Sequence, residues 1–149
     1  MRKSIIIVAL ALVCSSYVSA QKIAADKVPA AVLSTFKSKF PTAQNVAWEK
    51  ENAKELEAAF TIGKEKHSAA FDLAGKWMET ETTMEVSAMP KAVKDAIAKQ
   101  YADYKVKESV QVETPDKGSF YEADLTKGME KLEVQFSADG KLLNAKKEK

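Results

Sequence analysis

Four residue types are scarce in this 149-residue chain: one cysteine, one histidine, one arginine and five glycines. The cysteine, Cys14, falls in the N-terminal segment, so the rest of the chain has no disulfide, thiol nucleophile or thiolate metal ligand. His67, alone, cannot complete a zinc site, which wants three or four N/S ligands, and because it follows a lysine and fills an apolar slot it gives a Ser/His/Asp arrangement no support. Arg2 is the sole arginine, whereas recognition of phosphate and nucleic acid leans on the guanidinium fork and on a clustered basic surface. Nucleic acid is not an expected partner. The glycines form no phosphate-cradling loop, since four of the five sit at expected hairpins. The longest apolar run, Ile5 to Val13, is shorter than the roughly 20 residues a membrane span needs.

What the N-terminus does hold is a basic pair, Arg2 and Lys3, then that apolar run, then small and polar residues ending Val18-Ser19-Ala20. This order is the layout of an export signal over residues 1–20, with cleavage expected between Ala20 and Gln21. Lipidation at Cys14 would want a small residue before it, and Val13 is not small. Without Arg2 and Lys3, the 23 basic residues fall to 21, equal to the 21 acidic ones. The expected mature chain is therefore near neutral, exported to the periplasm or beyond, and without stable membrane insertion.

Leu56 to Met78 reappears as Tyr121 to Leu143, displaced by 65 residues and identical at 9 of 23 positions, among them Glu57/Glu122, Gly63/Gly128, Phe71/Phe136 and Gly75/Gly140. Upstream, Val28-Pro29-Ala30-Ala31-Val32 answers Met89-Pro90-Lys91-Ala92-Val93 at a displacement of 61. The four-residue excess of the second copy fits a hairpin at Thr114 to Gly118.

Each copy opens with a helix. The first is predicted near Lys27 to Phe40, capped by Asp26, with Val32, Leu33, Phe36 and Phe40 on one stripe. The second is predicted near Pro90 to Ala102, with Val93, Ile97 and Tyr101 in line. After each helix the hydrophobic period drops to two, which predicts four antiparallel strands per copy. Leu56, Ala58, Phe60 and Ile62 share one face, as do Ala69, Phe71 and Leu73; Trp48 is expected in the core in register with Val46. The expected fold is α+β: two helix-plus-four-strand repeats, residues 21–88 and 89–149, forming one curved antiparallel sheet with the helices on one face.

The tandem copies, the x-Pro-x-Ala-Val helix starts, the Trp48-Glu49 pair and the hairpins at Phe71 to Lys76 and Phe136 to Lys141 resemble the PepSY-like, β-lactamase-inhibitor-like proteins. The resemblance covers nearly all of the chain beyond the leader. It implies a periplasmic protein similar in layout to the β-lactamase inhibitory protein, and a role in binding or inhibiting another protein.

Candidate sites are few. By alternation Glu57, Glu79, Glu81, Glu122, Asp124 and Glu133 point away from the helices, and a solvated sheet face is the simplest reading of them. An acidic binding surface or a weak calcium site is the alternative. Trp77, Phe120 and Leu142 fall on the same outward parity, where an aromatic among charges is a common anchor of protein recognition. His67 occupies the slot that Leu132 fills in the second copy, so its ring is expected at the rim of the core.

No catalytic residue, metal ligand or cofactor site emerges. The expected function is non-enzymatic binding of a protein or peptide of the cell envelope through the open sheet face and hairpin loops. The alternative is a small-ligand carrier or sensor with a pocket between helices and sheet lined by Met78, Met84 and Tyr121. Nothing in the residues fixes the oligomeric state.

Overall fold

The computed structural model describes residues 21–148. The expected leader, with Cys14 and Ala20, lies outside the described residues, and Gln21 opens the first strand. The order is β1 (Gln21–Ile23), α1 (Ala30–Lys39), β2 (Gln44–Lys50), β3 (Glu55–Ile62), β4 (Glu65–Asp72), β5 (Trp77–Thr83), α2 (Lys91–Gln100), β6 (Lys105–Thr114), β7 (Gly118–Lys127), β8 (Glu130–Phe136) and β9 (Leu142–Lys147). All nine strands form one antiparallel sheet in chain order, so every strand lies beside its neighbour in sequence. α2 bridges β5 and β6 without interrupting the sheet.

Both helices begin after a proline, Pro29 and Pro90, each in an extended conformation with no side-chain cap. Asp26 is therefore not the expected cap; it lies in a 3₁₀ turn, Ala25–Lys27, ahead of the helix. The stripes dock as read. Val32 and Phe36 pack with Trp48, Leu56, Phe60 and Phe71, while Val93 and Ile97 pack with Leu125, Leu132, Val134 and Phe136. Each such buried side chain contributes on the order of 1.5–3 kcal/mol, which outweighs the weak tendency of a ten-residue helix to form alone.

Two glycines set how closely the helices seat. A Cβ on Gly75 would stand 2.7 Å from the carbonyl carbon of Ala31, and one on Gly140 would press on the carbonyl oxygen of Ala92. Both glycines also have positive φ, 88° and 83°, in tight turns.

Four bulges bend the sheet, at Gln44/Ala47 on β2, Ala70/Phe71 opposite β5, Val106/Glu108 on β6 and Gln135/Phe136 opposite β9. A bulge places an extra residue in one strand, kinking it and increasing its twist. In β2 the extra residue leaves Val46 exposed instead of in the core with Trp48. Leu73, expected beside Ala69 and Phe71, is also exposed, because β4 ends at Asp72 and Leu73 belongs to the turn.

Candidate functional site

The sheet face away from the helices is not a flat, solvated surface. β3 and β9 are six strands apart, about 29 Å in a flat sheet at roughly 4.8 Å per strand. Yet Glu55 of β3 and Asn144 of β9 line the same groove, of about 370 Å³. The sheet is therefore curled into a trough, and the bulges supply the bending.

Strand pairing assigns the trough's contents row by row. Glu49, Glu57, Ala70 and Glu79 stand side by side across β2 to β5. Ser68, Glu81, Val112 and Phe120 form the next row across β4 to β7. Val110, Glu122 and Gln135 follow across β6 to β8, then Glu108, Asp124 and Glu133. The six carboxylates expected on this face are all there. Curling, however, half-buries them, which alternation alone does not reveal.

The electrostatic consequence is large. Burial, then the charges of Glu79, Glu122, Glu57 and Glu108, pushes the Glu81 carboxyl up to about 8. Burial and Glu133 push Glu122 up to about 7, against a lowering hydrogen bond donated by Gln135 Nε2 at 2.8 Å. Burial, followed by Glu148 and Glu108, raises Asp124 to about 6. Glu57 and Glu79 are raised as well, burial again the first cause. A second, smaller hollow of about 160 Å³ lies among Glu81, Glu108, Glu122 and Asp124. Among the described residues, no group of three or more His, Cys, Asp or Glu is arranged to hold a metal ion.

The three apolar candidates fare differently from the acids. Trp77 pairs with Phe71 because the bulge at Met78 reverses the strand's parity, so its ring turns to the helix side. There it packs against the first core, donates from Nε1 to Thr80 Oγ1 at 2.9 Å and lies 3.5 Å beneath Lys39 Nζ. Leu142 is reversed in the same way by Leu143, pairs with Phe136 and packs on the second core. Both side chains pack mainly against the cores, although Trp77 also borders the groove. Phe120 does face the trough, but it is only 4 % exposed, stacked with Val110 and Val112 in an apolar island at its floor. Trp77 and Phe120 both border the groove, but the Trp77 ring packs on the helix side and Phe120 is buried in the floor, so the two rings do not stand side by side as outward anchors. The signal that could have warned of this is a pair of consecutive large apolar residues, Trp77-Met78 and Leu142-Leu143, which breaks strict alternation.

His67 stacks on Phe60, with ring centroids 5.4 Å apart, and shares a 3.0 Å hydrogen bond between Nδ1 and Thr82 Oγ1. It is on the helix side, across the sheet from the carboxylates. A pocket between helices and sheet would have needed Met84 and Tyr121 free, but both pack into the second core. Met78 instead lines the trough. Val112, Val110 and the β6–β7 hairpin are the site features that sequence reasoning missed.

The family model for beta-lactamase-inhibitor-like, PepSY-like proteins matches residues 16–61 and 54–144. The chain belongs to this family. A BLIP-like protein from Bacteroides fragilis is similar in structure, with TM-score 0.73 and 25% identity over 80% of this chain and 86% of that one. A DUF2874 family protein from Bacteroides ovatus gives the same TM-score at 24% identity, over 80% and 86% of the two chains. A protein from Bacteroides eggerthii, named as periplasmic, matches at 22% identity and TM-score 0.73, over 80% and 88%. Among proteins of curated function, none matches the chain. The periplasmic placement expected from the leader is thus the placement named for a relative of the same fold, and no described helix is long and apolar enough to cross a membrane. Neither grouping is known as an enzyme family.

Proposed function

We propose that this is an exported, non-enzymatic binding protein that takes a segment of an envelope protein or peptide into its trough. The observation that carries the reading is the groove itself: an apolar floor at Val112 and Phe120, walls of half-buried carboxylates, and an opening wide enough to draw its lining from strands at both ends of the sheet. Binding sites combine apolar surface with a few placed polar groups, and this groove is at the small end of their roughly 300–1,000 Å³ range. Non-catalytic binding is favoured because the carboxylates stand mostly beside one another, with Lys146 next to Glu133, and the single histidine is on the other face. Inhibition of an exported enzyme by occlusion is the specific form that the family's likeness favours. The same reading takes the trough as two copies of one helix-and-four-strand unit, with bulges at Met78 and Leu143 and glycine seats at Gly75 and Gly140 in matching places.

The test is a photo-crosslinking amino acid placed in the trough, at Ala59 or Ser68, and on the outer faces of the helices, at Ser34 or Lys99, in envelope extract. The reading expects a discrete protein adduct from the trough positions alone. Adducts from the helix positions only, or from all four alike, would reject it.

A further inference from the structure

The trough has an unequal make-up that bears on what fills it. Its floor is apolar, with Val110, Val112 and Phe120 buried and Met78 beside them. Its walls are acidic: Glu79 and Glu81 on β5, Glu57 on β3, Glu122 on β7. Basic side chains border it at Lys76, Lys117 and Lys146, the last paired across strands with Glu133, and Lys117 Nζ is held 5.8 Å above the Phe120 ring. Ion pairs such as Lys91–Asp95 and Lys127–Asp103 lie elsewhere on the surface.

Like charges crowded into a partly desolvated hollow repel one another, and the natural relief is a cation brought from outside. A cation alone would leave the apolar floor unused. A lysine or arginine side chain matches both features, since its alkyl stem lies on apolar surface while its head seeks carboxylates.

Resting on the binding reading above, we propose that the groove is a receptor for a basic side chain on an extended segment of the partner, its stem on Phe120, Val112 and Met78 and its head among Glu79, Glu81 and Glu122. An extended segment suits the groove because its lining runs from the β2–β3 turn at Glu51 to Asn144 on β9. Charge complementarity of this kind also draws basic segments toward the trough from a distance and weakens with added salt.

Calorimetric titration of the full chain at pH 8.5 with short capped peptides tests this. One peptide carries a central arginine or lysine between apolar residues, and its control carries norleucine there, which keeps the stem and removes the charge. The basic peptide is expected to bind at least about tenfold more tightly than the control, and to lose at least about tenfold when Glu81→Gln and Glu122→Gln are combined. Glu65→Gln, at the exposed β3–β4 turn, is expected to leave binding unchanged. Thermal melts of each variant confirm that the fold survives.

Equal binding of both peptides overturns the proposal, as does no binding of the basic one. Calcium chloride alone binding in a Glu81-dependent way, without peptide binding, also overturns it, by making the hollow an ion site. If basic peptides fail while crosslinking still captures a partner in the trough, the basic-residue inference falls and the binding reading stands. If crosslinking finds the partner on the helix faces, the binding reading falls with it.

Discussion

The cores around α1 and α2 are filled by different side chains. Around α1, the core is aromatic: Phe36 meets Trp48, Phe60 and Phe71 at ring centroids of 5.1 to 6.2 Å. Around α2, the residues 61 or 65 positions further along the sequence are Ile97 for Phe36, Leu125 for Phe60 and Val134 for Ala69. Two positions shrink and one grows. Such exchange is what close packing demands, because cores tolerate substitution when summed volume is kept. The open faces differ more. Where the first half carries Glu49, Glu51 and Glu55, the second carries Val110, Val112 and Phe120. The longer β6–β7 hairpin, ten residues a side, supplies the apolar floor, and β3 and β5 of the first half supply much of the acidic wall. One sheet thus divides its strands between holding the fold and building a site.

The sharpest way to break this comparison is to empty both cores. Phe36→Ala removes a ring that touches four others and should cost about 4 kcal/mol, whereas Val93→Ala, against smaller neighbours, should cost about 2 kcal/mol. Denaturant melts followed by tryptophan fluorescence will separate them, since Trp48 lies against Phe36. Equal losses would show that the aromatic cluster has no special weight.

The glycine seats come next. Gly75→Ala and Gly140→Ala combine a strained backbone with a clash against a helix carbonyl, and each should cost about 3 kcal/mol. Gly63→Ala and Gly128→Ala have positive φ but open space around the new methyl, so about 1 kcal/mol is expected. A cost at Gly75 no greater than at Gly63 would mean that the helix moves aside freely.

How much of this was legible depends on which side of each strand is asked about. Helix stripes and strand alternation located both cores, because Val32, Phe60, Leu125 and Phe136 are buried for the same reason that they recur with period 3.6 or two. The six carboxylates were placed on the correct face by the same rule. Bulges defeated it at Trp77 and Leu142, since one extra residue reverses every side chain beyond it. Curling defeated it at Phe120 and Glu81, because alternation tells which face a residue takes and says nothing of whether that face is folded onto itself.

The trough makes stability depend on pH in an unusual direction. Glu81 faces Glu57 on β3, Glu79 on its own strand, Glu108 on β6 and Glu122 on β7, all of which raise its pKa. Its folded value, about 8, is above the ordinary value of 4.5. Below pH 4.5 it is protonated in both the folded and the unfolded chain and costs nothing. Between pH 4.5 and 8 the unfolded chain loses the proton first, so stability falls as pH rises and levels off above 8. Glu122 and Asp124 act in the same sense over narrower windows, up to about 7 and about 6. After discounting for solvent screening, the loss is on the order of 2 kcal/mol, or a drop in Tm of roughly 5–10 °C from pH 5 to pH 8.5. Glu81→Gln should flatten the curve and raise Tm at pH 8.5. A protein that gains stability over this range would mean that the carboxylates are solvated after all.

The smallest effect is expected at His67, a polar ring that stands 65 residues before Leu132 in the sequence. The ring keeps the position by stacking on Phe60 and by its bond to Thr82, but Nε2 is buried with no hydrogen-bond partner, and Glu65 Oε2 is 3.7 Å away. His67→Leu surrenders the Thr82 bond, worth about 1 kcal/mol, and relieves the unpartnered nitrogen, a penalty of similar size. The two nearly cancel, so stability should change by less than about 1 kcal/mol and the trough, on the opposite face, should bind as before. Thermal melts with the basic peptide titration check both halves of this statement. Loss of binding with the fold intact would assign His67 a role in function that its stacked, rim-of-core setting does not predict.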